Sequence, residues 1–156
     1  AQFWKQVKQN GGTPNTTGLP SVNDIGKKEY NKLYMRYKRK NDKEFLKKGI
    51  IRGLINKALK ENYKDSKSNK ANYYLGIKVS SYRAYIESLF TGDMNWSNRS
   101  VLWQIDHIKP LSLFNLLDEN ECLSAFNYKN TQPLTKEENL RKSNNYISKE
   151  QIEIIF

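Results

Sequence analysis

The sequence predicts an α+β chain, with a mostly helical, basic N-terminal part followed by a smaller module of strands and a helix. Three observations predict it. Apolar and aromatic residues recur at helical spacing between residues 26 and 62. The run VLWQIDHI, residues 101–108, is rich in β-branched and aromatic residues and stops at Lys109-Pro110, as a strand does. Charge also divides the chain: residues 27–70 hold sixteen Lys and Arg against five Asp and Glu, whereas the remaining residues hold eleven of each sign.

Taken in order, residues 1–25 read as an irregular arm, because Gly11, Gly12, Pro14, Gly18 and Pro20 break any periodicity. Residues 26–72 read as a basic helical segment. Tyr30, Leu33, Tyr34 and Tyr37 form one stripe, and Ile51, Leu54, Ile55, Ala58 and Leu59 form a second. Asn41-Asp42 suits a break between two helices. Both stripes are expected to face a core, with the lysines opposite. Residues 64–72, KDSKSNKAN, have loop composition. Ser80 or Ser81 then caps an amphipathic helix carrying Tyr82, Tyr85, Ile86, Leu89 and Phe90, which Thr91-Gly92-Asp93 ends with Gly92 at C′. A polar loop surrounds Trp96. After the predicted strand, a short helix is expected over Glu119–Phe126, then an extended piece at 130–134, kept to a sheet edge by Pro133. Thr135-Lys136-Glu137-Glu138 is a capping box opening another helix, and Ser148-Lys149-Glu150-Gln151 repeats the device within residues 147–156.

Composition excludes several classes of function. One cysteine, Cys122, cannot build a disulfide framework or a zinc site of several thiolates. One histidine, His107, cannot supply the two or three imidazoles of many metal sites. No apolar run approaches the roughly 20 residues that cross a membrane, and no charged-then-apolar signal peptide opens the chain. The formal net charge of +11 suggests a polyanionic partner. AT-rich coding would also enrich Lys and Asn, but it would spread the charge evenly. Concentration in one segment favours a nucleic-acid surface, with Lys38, Arg39, Lys40, Lys47, Lys48 and Arg52 as candidate contacts.

The chemistry-bearing residues lie in WQIDHIKP and NTQPLTKEENLRK. Asp106 and His107 alternate across a strand, so they diverge unless the strand ends or bulges there, which Pro110 favours. With Thr135 as N-cap, Asn139 is the fourth helical residue and Lys142 shares its face. Asn139 offers a hard carbonyl oxygen suited to Mg²⁺ or Mn²⁺, and Lys142 a charge for phosphate.

These residues resemble the HNH nuclease motif. Asp106-His107, Asn130, Asn139 nine positions later and Lys142 three beyond match its order and spacing. The words W-x-I-D-H-I-x-P, N-x-Q-P-L and N-L-x-K are similar as well, as is Y-I-E-S-x-F-x-x-x-M-x-W over residues 85–96, in small HNH endonucleases of phages and mobile elements. The likeness covers residues 74–145. It implies a ββα-metal fold, a module over 73–146, and metal-dependent hydrolysis of double-stranded DNA to 5′-phosphate and 3′-hydroxyl ends. His107 would be the general base, with Asn130 holding its loop. Asp106 and Asn139 would be ligands of one Mg²⁺ or Mn²⁺, Asn139 standing where many members have histidine. Lys142 and Arg141 would meet phosphate. With no second cysteine, structural zinc is not expected, and packing of Trp96, Trp103, Leu113, Phe114, Leu123 and Phe126 would replace it. The resemblance also implies the cytoplasm of a bacterial or phage-infected cell, with no membrane role and with monomer and homodimer both compatible. The rival reading is a non-catalytic nucleic-acid-binding module derived from such a nuclease.

Overall fold

In the computed structural model the chain is mostly helical with one small two-stranded antiparallel sheet, and residues 18–19, 21–60 and 69–143 are described. It divides into two units, residues 1–46 and 47–156. No helix among the described residues is long and apolar enough to cross a membrane.

The first unit contains α1, Val22–Asn41. Ser21 and Asp24 form its capping box: the Ser21 Oγ accepts from the Asp24 amide, and the Asp24 carboxylate accepts from the Ser21 amide at 3.0 Å. Helix therefore begins inside the expected arm, and residues 22–25 correct that boundary. Gly26 interrupts the helix at φ 76° and ψ 153°, a conformation that glycine adopts without a Cβ penalty. Asp42 separates the two predicted helices. Its amide donates to the Lys38 carbonyl, its carboxylate pairs with Lys38 at 2.6 Å, and Oδ1 accepts from the Phe45 amide at 2.9 Å. The tyrosine stripe departs from expectation. Tyr30, Leu33, Tyr34 and Tyr37 are only half-buried, and α1 has no buried residue.

Helix α2, Lys43–Lys60, carries the second stripe as expected: Ile51, Ala58 and Leu59 are buried and Leu54 and Ile55 half-buried. Helix α3, Asn69–Leu75, replaces the end of the expected loop, because burial of Ala71 and Leu75 stabilises helix there despite polar composition. Residues 64–68 of that loop lie outside the described residues. Gly76, at φ 75°, closes α3, and an added Cβ would lie 2.8 Å from the Asn127 amide nitrogen.

Helix α4 runs Val79–Ser88. Its N-cap is Lys78, not Ser80 or Ser81, and the Asn72 side chain from α3 accepts from the Val79 amide at 2.9 Å. A neighbouring element thus does the work expected of a local serine. The helix also ends earlier than expected, at Ser88, with Leu89 as C-cap and largely exposed, so Gly92 is not its C′ residue. Sheet strands are β1, Trp103–His107, and β2, Thr131–Thr135, in the register Trp103↔Thr135 to His107↔Thr131. Val101 and Leu102 form an exposed turn rather than strand, since the Val101 and Leu102 amides donate back to the Asn98 carbonyl. Between the strands, α5 occupies Glu119–Phe126 as predicted, capped by Asp118. Helix α6, Lys136–Lys142, follows β2 directly through the Thr135–Glu138 capping box. The helix expected in 147–156 lies outside the described residues.

The second unit holds two apolar clusters. One gathers Leu59, Leu75, Tyr82, Ile86 and Trp103; the other gathers Ile51, Leu116, Cys122 and Phe126. Of the expected core residues, Trp103 and Phe126 are fully buried, and Trp96, Phe114 and Leu123 partly so. Leu113 is 52% exposed, which corrects its assignment: it ends a 3-10 turn, Leu111–Leu113, whose inward residue is Leu111.

Candidate functional site

Antiparallel pairing sets Asp106 opposite Gln132 and His107 opposite Thr131. Because the last residue of β2, Thr135, is the N-cap of α6, the final turn of the helix folds back onto the end of β1. The Lys142 ammonium lies 2.8 Å from Asp106 Oδ2 and donates to the His107 carbonyl at 2.6 Å. Gln132 Nε2 donates to the same Oδ2 at 3.1 Å. The Asp106 side chain is 11% exposed, and Oδ1 has no hydrogen-bond partner among the described residues.

Asn130 fixes the backbone that leaves His107. Its Oδ1 accepts from the Lys109 amide at 2.9 Å, and its Nδ2 donates to the carbonyls of Lys109, at 3.1 Å, and Ala125, at 2.9 Å. The Ile108 amide donates to the Asn130 carbonyl at 2.8 Å. One side chain thereby locks the β1 end against α5.

His107 packs edge-on against Phe126, with ring centroids 5.6 Å apart at 89°. Burial first, and the Arg52 cation second, push its pKa down to about 4; Asp106 offsets part of this, and Lys142 adds to it. The imidazole is therefore neutral near pH 7, and neither ring nitrogen has a hydrogen-bond partner among the described residues.

Asp106, His107, Asn139 and Lys142 line one cleft of about 220 Å³, together with Arg52 and Gln104. The strand ends at His107, as Pro110 suggested, and Asp106 and His107 line the same cleft. The side-chain carboxamide of the half-buried Asn139 makes no hydrogen bond among the described residues, while its backbone carbonyl accepts from the Ser143 amide. Lys142, expected to meet phosphate, lies in the cleft with its ammonium on Asp106 and the His107 carbonyl. Arg141 is exposed and outside the cleft lining. Of the basic candidates, Arg52 lines the cleft, and burial lowers its pKa. Lys47 instead pairs with Glu119 at 2.9 Å, and Lys48 is half-buried on α2. Lys38, Arg39 and Lys40 form the last turn of α1 in the first unit.

Sequence reasoning missed Gln132 and Gln104. Gln132 stands inside the quoted N-x-Q-P-L word, and its register opposite Asp106 was readable once β1 and β2 were taken as partners. Gln104 carries no such signal.

Among the described residues, no group of three or more His, Cys, Asp and Glu side chains gathers to hold a metal ion. The cleft offers instead the Asp106 carboxylate, with one oxygen unpartnered among the described residues, and the carboxamides of Asn139 and Gln104. These are hard oxygen donors of the kind that Mg²⁺ or Mn²⁺ accepts alongside water.

No family model matches the chain, and no solved structure matches it. Two uncharacterized proteins of Acanthamoeba polyphaga mimivirus are similar to it. One is 37% identical over 125 residues, covering 73% of this chain and 54% of the relative. The other is 30% identical over 105 residues, covering 67% and 45%. The chain thus spans about half the length of the relatives that it matches.

Proposed function

We propose that the second unit is a metal-dependent DNA endonuclease of the HNH type, with β1, β2 and α6 as its ββα-metal module. The observation that carries this reading is convergence. Asp106, His107, Asn139 and Lys142 come from two separated stretches of sequence and line a single cleft, in which the imidazole is neutral and unpartnered. A structural histidine would normally have its ring nitrogens hydrogen-bonded inside the protein.

In the proposed reaction, an imidazole nitrogen of His107 takes the proton from a water molecule as that water attacks phosphorus. The P–O bond to the 3′ oxygen breaks, leaving 5′-phosphate and 3′-hydroxyl ends. Asn130 is a positioning residue: it holds the chain just after His107 and so fixes the ring's approach. Asp106 Oδ1 and the side-chain Oδ1 of Asn139 would hold one Mg²⁺ or Mn²⁺. When bound, that cation would supply Lewis-acid stabilisation of the charge developing on phosphate oxygens. Lys142 and Gln132 both meet Asp106 Oδ2, which leaves Oδ1 without a partner among the described residues and available to a cation. The implied setting is the cytoplasm of the cell in which the DNA resides.

One observation favours the rival reading of a non-catalytic binding module: the Lys142 ammonium already neutralises Asp106. Supercoiled plasmid incubated with Mg²⁺, with Mn²⁺ or with EDTA separates the two. Cation-dependent nicking is expected. His107→Ala should slow it by about 10²–10⁴-fold, the usual contribution of a general base. Asp106→Ala and Asn139→Ala should abolish it while leaving DNA binding. Nicking by His107→Ala at the wild-type rate would overturn the assignment.

A further inference from the structure

Two further recesses follow the cleft: one shares walls with it, and the other shares walls with that first recess. The first, of about 280 Å³, has Arg52, Gln104 and His107 in common with the cleft and adds Asn56, Arg99 and Ser100. The second, of about 560 Å³, shares Asn56, Arg99 and Ser100 with the first and adds Lys60, Arg83 and Trp96. Three arginines from three elements therefore succeed one another along connected depressions, beginning beside His107.

Their surroundings are unusual for arginines within a fold. None of Arg52, Arg83 and Arg99 makes an ion pair among the described residues. Arg83 is held by the Leu59 carbonyl, which accepts from Nη1 at 2.9 Å, and its guanidinium lies 4.1 Å from the centre of the Trp96 ring. Arg99 donates to Asn56 Oδ1 at 2.6 Å and lies 5.9 Å from the same indole. The nearby Glu87 carboxylate accepts from the Trp96 indole N–H. Arg99 is half-buried and burial lowers its pKa; Arg52 is exposed overall, with a pKa moved in the same direction, and neither has an ionic partner among the described residues. A guanidinium carries five N–H donors, and one or two fixed contacts leave a fork directed at solvent. Neutral partners and an aromatic face orient such a group without cancelling its charge.

The platform is rigid. Asn95 caps the Trp96–Asn98 turn, its carbonyl accepts from the Trp103 indole at 2.7 Å, and the Ser100 amide donates to the Trp103 carbonyl at 2.7 Å with Ser100 at φ 71°. Arg99 is thus fixed to the strand that bears Asp106 and His107.

We propose that Arg52, Arg99 and Arg83 form a phosphate track that leads a nucleic-acid strand to and from the candidate active site. A single anion would fill one recess. A row of cations over three connected recesses matches a ligand that repeats its phosphate. The inference rests on the nuclease reading for the identity of the polyanion, but it does not depend on catalysis. It moves the main DNA contacts from the lysine-rich run to arginines at 83 and 99, outside the basic segment.

The test is fluorescence anisotropy of a labelled DNA duplex of mixed sequence, titrated with the full chain in EDTA over a range of NaCl concentrations. The double variant Arg83→Gln with Arg99→Gln is expected to bind at least about ten-fold more weakly and to lower the salt slope by about two, one per lost phosphate contact. Because both side chains touch Trp96, the double Arg→Lys variant serves as a fold control. It keeps the charges and should retain most of the salt slope. Unchanged affinity and slope in the Gln variant would overturn the track, as would equal loss in the Gln and Lys variants, or no DNA binding by the wild type. Wild-type binding and a Gln-variant defect without any Mg²⁺- or Mn²⁺-dependent cleavage would overturn the nuclease reading and leave the track standing.

Discussion

At the scale of single residues, His107 has the most measurable consequence. Its folded pKa of about 4 lies below the ordinary 6.5, so the neutral ring is the form the fold accommodates. Above pH 6.5 the ring is neutral in both folded and unfolded chains and pH has no effect through it. Between pH 6.5 and 4 the unfolded chain binds a proton that the folded chain refuses. Stability should therefore fall as pH falls through that window, by up to about 3 kcal/mol, with the loss complete below pH 4. Urea unfolding in EDTA at several pH values measures this, and His107→Gln should flatten that part of the profile. Equal slopes in wild type and variant would show that burial does not hold the ring neutral. The resemblance implied that Asn130 holds the loop, and its side chain does bond Lys109 and Ala125 across the end of β1. The place of Lys142 was not readable: only the fold brings it to Asp106, 36 positions earlier in the sequence.

At the scale of elements, α6 depends on its start. It is short, Lys136–Lys142, and carries both Asn139 and Lys142, while Leu140 between them is 80% exposed. Little apolar burial holds it, so its capping box matters more than usual. Thr135 Oγ1 accepts from the Glu138 amide, and the Glu138 carboxylate accepts from the Thr135 amide at 2.8 Å. Thr135→Ala should cost about 1 kcal/mol and fray the turn that bears Asn139. Its signature is a raised Mg²⁺ requirement for nicking with global stability little changed, read from a cation titration beside an urea melt. Capping boxes and helical stripes were legible because they are local. The N-terminus of α4 was not, since Asn72 supplies its capping group from another helix.

At the scale of the whole molecule, positive charge is present in two forms. Residues 27–70 hold most of the excess as lysines, whereas Arg83 and Arg99 sit in the stretch where the signs balance. Exposed lysines attract a polyanion at long range and are screened by salt; half-buried, oriented arginines fix it. Changing Arg39 and Lys40 together to Gln, and leaving Lys38 on Asp42, should weaken binding to all DNA sequences alike and lower the salt slope by about one, measurable in the same anisotropy assay. A sequence-dependent loss would contradict a role confined to phosphate.

What the sequence by itself determined was the order and type of most elements, which follow from local periodicity and caps acting over a few residues; the set Asp106, His107, Asn130, Asn139 and Lys142 is what its resemblance to the HNH motif implies. Only the tertiary structure decided which of them meet. The β1–β2 register and the start of α6 at Thr135 bring Asp106, His107, Asn139 and Lys142 to one cleft, and burial against Phe126 keeps the imidazole neutral. It also decided that unpaired arginines flank that cleft. A charge count has no access to this, because pairing and desolvation depend on neighbours that are distant along the chain.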